Sequence, residues 1–205
     1  MKKWVKFLGI IFCLLLVQTS IFAVKAPAIV QAGTVKSGLK KENGRYYYYA
    51  EGVKVKNTWK TIKTVSNGKT ISGRYFFGRD GAAYAGKKVK GAKVPAVKKI
   101  GGKYYGFGIS GRMLKGTYVI NEKFYVFHSK TGVYDSERSV RLRKASEYEK
   151  DAKTLRKLLG KPQKTVTRES CYGEGRESIL YYPNFMVCLY KNEQGKEIVL
   201  GILGR

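Results

Sequence analysis

An aromatic phrase followed by a glycine recurs through the middle of this chain, and it limits the folds open to it. The phrase reads Gly44-Arg45-Tyr46-Tyr47-Tyr48, then Gly73-Arg74-Tyr75-Phe76-Phe77, then Gly102-Lys103-Tyr104-Tyr105-Gly106-Phe107. A worn copy follows at Glu122-Lys123-Phe124-Tyr125-Val126-Phe127. Each copy leads to a second glycine, at Gly52, Gly81, Gly111 and Gly132. A run of aromatic strand formers closed by a glycine turn predicts a β-hairpin. One hairpin cannot bury its own faces, so tandem copies must stack. Gly81, Gly111 and Gly132 are expected in turns with positive φ.

The copies begin 29, 29 and 20 residues apart, and 11 of the 16 tyrosines fall between Tyr46 and Tyr134. The longer steps read as insertions, at Trp59–Thr70 and Gly86–Lys99. The second carries Lys87, Lys88, Lys90 and Lys93, and predicts a basic loop or an irregular edge strand. Lysines on an edge also block unwanted strand pairing, so a structural role stays open beside a binding one.

Basic Lys2, Lys3 and Lys6, the apolar run Phe7–Val24 and small residues at Ala23, Ala28 and Ala32 form an export signal. Cleavage after Ala32 is expected; cleavage at Ala23 and retention as an anchor are the alternatives. The whole chain carries 41 basic and 14 acidic residues, a net charge of +27. Without residues 1–32 it keeps 37 bases and 14 acids, a net of +23. Such a field draws polyanions and sets on-rate rather than fold. Export directs that expectation to wall polymers rather than nucleic acid, with no stable membrane span after cleavage. Removing Cys13 leaves Cys171 and Cys188, a disulfide candidate that export permits; two free thiols are the alternative.

The composition changes after Tyr134. Residues 135–145 read as a polar linker, and 33–37 as another after the signal. Ser146 with Glu149 forms a capping box for a helix over about Glu147–Leu159, with Tyr148, Ala152, Leu155 and Leu159 on one apolar face. Gly160 and Pro162 end it. Four strands are expected at Thr165–Glu169, Ser178–Tyr182, Phe185–Tyr190 and Glu197–Leu203. The fold class is therefore mainly β: tandem, solenoid-like hairpin repeats over 38–134, then a small α+β module over 146–205 with one helix on an antiparallel sheet.

No catalytic constellation stands out. His128 is the single histidine and has no obvious carboxylate partner; Cys171 has no evident base. No phosphate-cradling loop and no metal-ligand spacing occurs, so neither an enzyme nor a cofactor is expected.

The repeats resemble the cell-wall-binding, or choline-binding, repeats of Gram-positive surface proteins. Asp80-Gly81, Gly111-Arg112-Met113-Leu114-Lys115-Gly116 and Ser129-Lys130-Thr131-Gly132 carry the likeness. The resemblance implies stacked hairpins with aromatic ligand seams. The family draws its cage tryptophans from two places. Here the first holds Arg45, Arg74, Tyr104 and Phe124. The second holds Lys87 and Thr117, with Trp59 out of register. Ligand-facing candidates are Trp59, Tyr47, Tyr75, Phe77, Tyr104, Tyr105 and Phe124, the alternative being that all are packing residues. Contacts to an anionic polymer are expected from Arg45, Arg74, Lys87, Lys88, Lys90 and Lys93. The C-terminal unit is similar to the helix-plus-sheet modules of the β-lactamase-inhibitor-protein-like superfamily, which implies a non-enzymatic protein contact.

The function expected is that of a surface protein bound to wall glycan or a teichoic-type anionic polymer. The alternatives are a protein–protein adhesin whose repeats are a spacer, and an extracellular nucleic-acid binder.

Overall fold

A computed structural model describes residues 35–66 and 68–205, which form one compact unit from Val35 onward. The export signal with its cleavage sites, Cys13 and Asn67 lie outside the described residues. The fold is mainly β, as expected.

The repeat region is a series of antiparallel hairpins. The first joins β1 (Gly38–Glu42) to β2 (Arg45–Ala50), with β3 (Val53–Lys54) at its side. The second joins β4 (Thr58–Ser66) to β5 (Lys69–Phe77). A short hairpin of β6 (Lys87–Val89) and β7 (Ala92–Val94) comes next, then β8 (Ala96–Ile100) with β9 (Lys103–Phe107). The last comprises β10 (Gly116–Ile120), β11 (Lys123–Phe127) and β12 (Tyr134–Asp135).

The aromatic phrase sits one strand later than the sequence suggests. It forms the second strand of its hairpin, and the turn comes before it. Asn43 and Gly44 have φ of 47° and 77°; Gly101 and Gly102 have 54° and 78°; Asn121 and Glu122 have 48° and 55°. Two successive positive φ values define the tight turn whose twist suits paired strands. Gly73 is no turn residue but lies inside β5. The supposed insertions are likewise strands: Trp59–Thr70 supplies β4 and its turn, and Gly86–Lys99 supplies the β6–β7 hairpin and most of β8.

The later glycines reverse the chain as expected, with φ of 78°, 78° and 74° at Gly81, Gly111 and Gly132. Each reversal returns the chain to an earlier aromatic strand. Ala83 N–H donates to Tyr46 O at 2.8 Å, and Met113 N–H to Arg74 O at 2.8 Å. Val133 bridges Tyr105 in the same way. These bonds stack one unit on the next. Phe77, Phe107 and Phe127 each end an aromatic strand and are each at most 1 % exposed. Gly106 makes room for one of them: a Cβ there would lie 2.4 Å from Phe127 Cζ.

The polar stretch expected as a linker is a helix, α1 (Ser136–Ala145). Asp135 caps it, accepting from Arg138 N–H. Its apolar stripe is narrow, Leu142 and Ala145 with Ser139, and the surrounding charges hide it. Ser139 is fully buried. Its Oγ accepts from Val126 N–H at 2.9 Å and donates to Asp135 O at 2.5 Å, which fastens α1 to β11. A buried hydroxyl satisfied on both sides carries little desolvation cost.

The expected capping box does not form. Ser146 is the C-cap of α1, and the second helix, α2 (Ala152–Leu159), starts from Asp151. Glu149 has φ of 59°, which no helix tolerates. Tertiary pairing overrides the local signal, because Glu149 N–H donates to Val199 O and Val199 N–H to Lys150 O. Tyr148 therefore leaves the apolar face and is exposed, while Ala152 and Leu155 are buried.

The sheet of β13 (Lys164–Glu169), β14 (Gly175–Tyr181), β15 (Phe185–Asn192) and β16 (Glu197–Gly204) runs in simple antiparallel order. Its inner face packs on both helices. The same core takes in Val119, Phe124 and Val126 from the last hairpin. Phe124 meets Phe185 edge-on at 5.2 Å between ring centres. A four-stranded unit of about 60 residues has little core of its own, and the last hairpin completes it. Cys171 and Cys188 are free thiols, so the disulfide does not form. Cys188 sits mid-strand opposite Ile179 and Gly201, while Cys171 is held in a loop by its N–H bond to Glu177. Burial raises the Cys188 thiol above its ordinary pKa.

Candidate functional site

The hairpins put a cation-bearing strand beside the first three aromatic strands, β2, β5 and β9. Lys41 faces Tyr46, and Lys99 faces Tyr104, in direct register. The result is a surface where rings and cations lie together. Lys54 Nζ stands 3.8 Å from the centre of the Tyr47 ring, and the Arg74 guanidinium stands 4.4 Å from that of Trp59. A cation over a ring face contributes about 0.5–1 kcal/mol at an exposed site.

Trp59 is the centre of the largest aromatic group among the described residues. Tyr105 meets it edge-on at 4.9 Å, Phe76 at 5.2 Å, and Phe107 stacks at 6.0 Å. The group spans hairpins β4–β5 and β8–β9, so the stacking expected from the repeat is present. Three of the proposed ligand-facing rings do not reach solvent. Tyr75, Phe77 and Phe124 are core residues at 3 %, 0 % and 0 % exposure. Burial also raises the Tyr75 phenol above its usual range. Tyr47, Trp59 and Tyr105 are half-buried, and Tyr104 is the one exposed ring among the seven.

The cations divide as well. Arg45 is engaged: its Nη2 lies 2.5 Å from Asp80 Oδ2, which ties the first hairpin to the turn after β5. Its hydrogen bond holds the Asp80 carboxyl below the ordinary carboxylate range. Arg45 is thus a structural residue rather than a free anion contact. Arg74, Lys87, Lys88, Lys90 and Lys93 have no carboxylate within 4 Å among the described residues. Lys88 stands directly across from Lys93 in the β6–β7 register, and Lys90 occupies the turn with φ of 46°.

Arg112 and Lys115 join this set, and the sequence reading passed over them. Both lie in the segment Gly111–Gly116, which the sequence offers as a turn and as part of the family likeness, with no binding role for its cations. With Arg74 they line a groove of about 580 Å³, together with Thr61, Ser72 and Tyr118. His128 belongs to a turn: its Nδ1 accepts from the N–H groups of Lys130 and Thr131, both at 3.3 Å.

Neither a protein-family model nor a curated protein sequence matches the chain. Solved structures to which it is similar include choline binding protein F from Streptococcus pneumoniae, at 18 % identity and a TM-score of 0.36 over 80 % of this chain and 43 % of that one. The multimodular pneumococcal cell wall endolysin from phage Cp-1, complexed with choline, is similar at 13 % identity and a TM-score of 0.37, over 78 % of this chain and 36 % of that one. Truncated alternansucrase from Leuconostoc mesenteroides is similar at 17 % identity and a TM-score of 0.34, over 76 % of this chain and 11 % of that one. The chain thus spans less than half the length of each of these structures. The functional reading rests on this chain's own residues.

Proposed function

We propose that this is a non-catalytic, exported surface protein whose stacked hairpins bind cell-wall glycan or an anionic wall polymer. The observation that carries the reading is the β6–β7 hairpin, in which Lys88 directly faces Lys93 without a carboxylate partner among the described residues. Like charges opposite each other destabilise a strand pair. A polyanion laid along the hairpin relieves that repulsion and gains several charge-assisted contacts. Exposed Tyr104 offers a ring face for a sugar alongside. Purified walls, with and without their anionic polymers, test the proposal. Retention by intact walls and release from stripped ones is expected; no retention by either contradicts it.

A second reading rests on the C-terminal sheet. Ile179, Tyr181, Met186, Cys188 and Tyr190 lie on the face turned away from the core, and Leu203 at its edge is exposed. That face supports a protein contact, with the repeats as a spacer. A protein that ignores both wall preparations yet is captured by a surface protein favours it.

A further inference from the structure

We propose that the groove between β5 and the turn after β9 is a binding site for a phosphodiester group, of the kind that links the units of a polyol- or sugar-phosphate chain. The inference rests on the wall-binding reading and names the chemistry of one site within it.

Three cations converge on this groove, and no carboxylate lies among its lining residues. Like charges do not gather without cause, because each raises the cost of placing the next. Two of the three are also held in place before any ligand arrives. Arg112 lies across the backbone of β5, its Nη2 donating to Ser72 O at 2.8 Å. Gly73 is what allows this, since a Cβ there would stand 2.7 Å from Arg112 Nε. Arg74, one residue further along β5, rests on the Trp59 ring at 4.4 Å. Successive strand residues point to opposite faces, so Arg74 and Arg112 reach the groove from the two sides of β5. Neither has a carboxylate within 4 Å among the described residues.

Planar guanidinium forks match the oxygens of a phosphate and pair with it bidentately. Fixing them beforehand removes most of the ordering cost of binding. Lys115 adds an exposed third charge. Thr61 and Ser72 line the same groove and offer hydroxyls to the polyol on either side of the phosphate. A volume of about 580 Å³ exceeds a lone phosphate and falls in the range of small-ligand sites. A carboxylate polymer would meet the charge but not the tetrahedral oxygens.

The test is calorimetric titration of the full chain with a short poly(glycerol phosphate), set against inorganic phosphate, hyaluronan as a carboxylate polymer, and neutral dextran. Arg112→Gln and Lys115→Gln are compared with the parent, each checked for an unchanged melting temperature. The Lys115 side chain is exposed and makes no hydrogen bond or ion pair among the described residues, so its variant reports on binding even where Arg112→Gln loosens β5. Poly(glycerol phosphate) is expected to bind at least tenfold tighter than hyaluronan. Each variant should weaken it by about tenfold and lower the slope of log K against log salt by about one, as the loss of one phosphate contact does. Equal affinity for the two polymers, variants that match the parent, or no binding of poly(glycerol phosphate) would each overturn the proposal. Purified walls run in parallel keep the two readings apart. Walls bound with both variants unaffected refute the site alone. Variants impaired toward the oligomer, with no wall retention, refute the wall-binding reading alone.

Discussion

The guanidinium of Arg74 lies over the ring of Trp59, 4.4 Å from its centre, in the largest aromatic group among the described residues. Tyr105, Phe76 and Phe107 surround the same indole. An assembly of rings like this attracts a cation by its π faces. Here the chain supplies that cation itself. The same holds at Tyr47, which Lys54 covers at 3.8 Å. A free quaternary ammonium must displace a tethered charge to enter either place.

Replacing Arg74 by Ala should therefore open the Trp59 face. The loss of the contact is expected to cost about 0.5–1 kcal/mol. Tetramethylammonium should leave the fluorescence of the parent unchanged and perturb that of the variant. Trp4, the only other tryptophan, is common to both chains. An equal response from parent and variant contradicts the account.

Two glycine substitutions should differ in mechanism. At Gly106 a methyl would meet the Phe127 ring at 2.4 Å, so Ala there overpacks the seam between the last two repeats. A loss of about 1–3 kcal/mol is expected. At Gly44, φ is 77° and nothing lies within 4 Å, so Ala meets only backbone strain. That costs about 1–2 kcal/mol. Shortening Phe127 to Leu should relieve the first variant and leave the second as it was. Rescue of neither in thermal melts goes against the packing argument.

Leu155 is 1 % exposed in a core shared by α1, α2, the C-terminal sheet and hairpin β10–β11. Leu155→Ala is expected to cost about 2–5 kcal/mol in denaturant unfolding. Because the core is common, amides of β11 and β15 should lose protection together in hydrogen exchange. Loss confined to the sheet would separate the last hairpin from it.

Glu42 should give the first hairpin a dependence on pH. Hydrogen bonds from Lys36, Tyr49 and Lys54 hold its carboxyl at about 2, against an ordinary 4.5. The folded state thus favours the ionised form. Its contribution is complete above about pH 4.5 and is lost as pH falls toward 2. NMR titration of the Glu42 carboxyl, with the Tyr49 signals followed alongside, measures this. A midpoint near 4.5 would mean that the cluster does not hold in solution.

The sequence disclosed most of the fold through Tyr, Phe and Gly, because hairpins leave local marks. Turn glycines need positive φ, and aromatic strands alternate. It misplaced the phrase by one strand, since Gly44 and Gly81 look alike as letters while one closes a hairpin and the other returns the chain to an earlier unit. Helix α1 was hidden because its buried stripe is only Ser139, Leu142 and Ala145 amid charges. The Ser146–Glu149 capping box was a true local signal overruled by pairing with Val199. At the site, the lysines of Lys87–Lys93 and Arg74 were legible as candidate anion contacts; that they lack carboxylate partners among the described residues is shown by the structure. Arg112 was not, because its position depends on Gly73 lying beneath it, 39 residues earlier in the chain.

The central claim is that this surface binds by charge first and by ring faces second. Retention on purified cell walls across a salt series tests it most directly. Screening shortens from about 10 Å at 0.1 M to about 3 Å at 1 M, while stacking on tyrosine hardly changes. Retention should collapse across that range, and free choline should not elute the protein. Changing Lys87, Lys88, Lys90 and Lys93 to Gln should weaken retention more than changing Trp59 to Ala. Elution by choline at low salt, with salt itself ineffective, would contradict the account and assign binding to the aromatic group around Trp59.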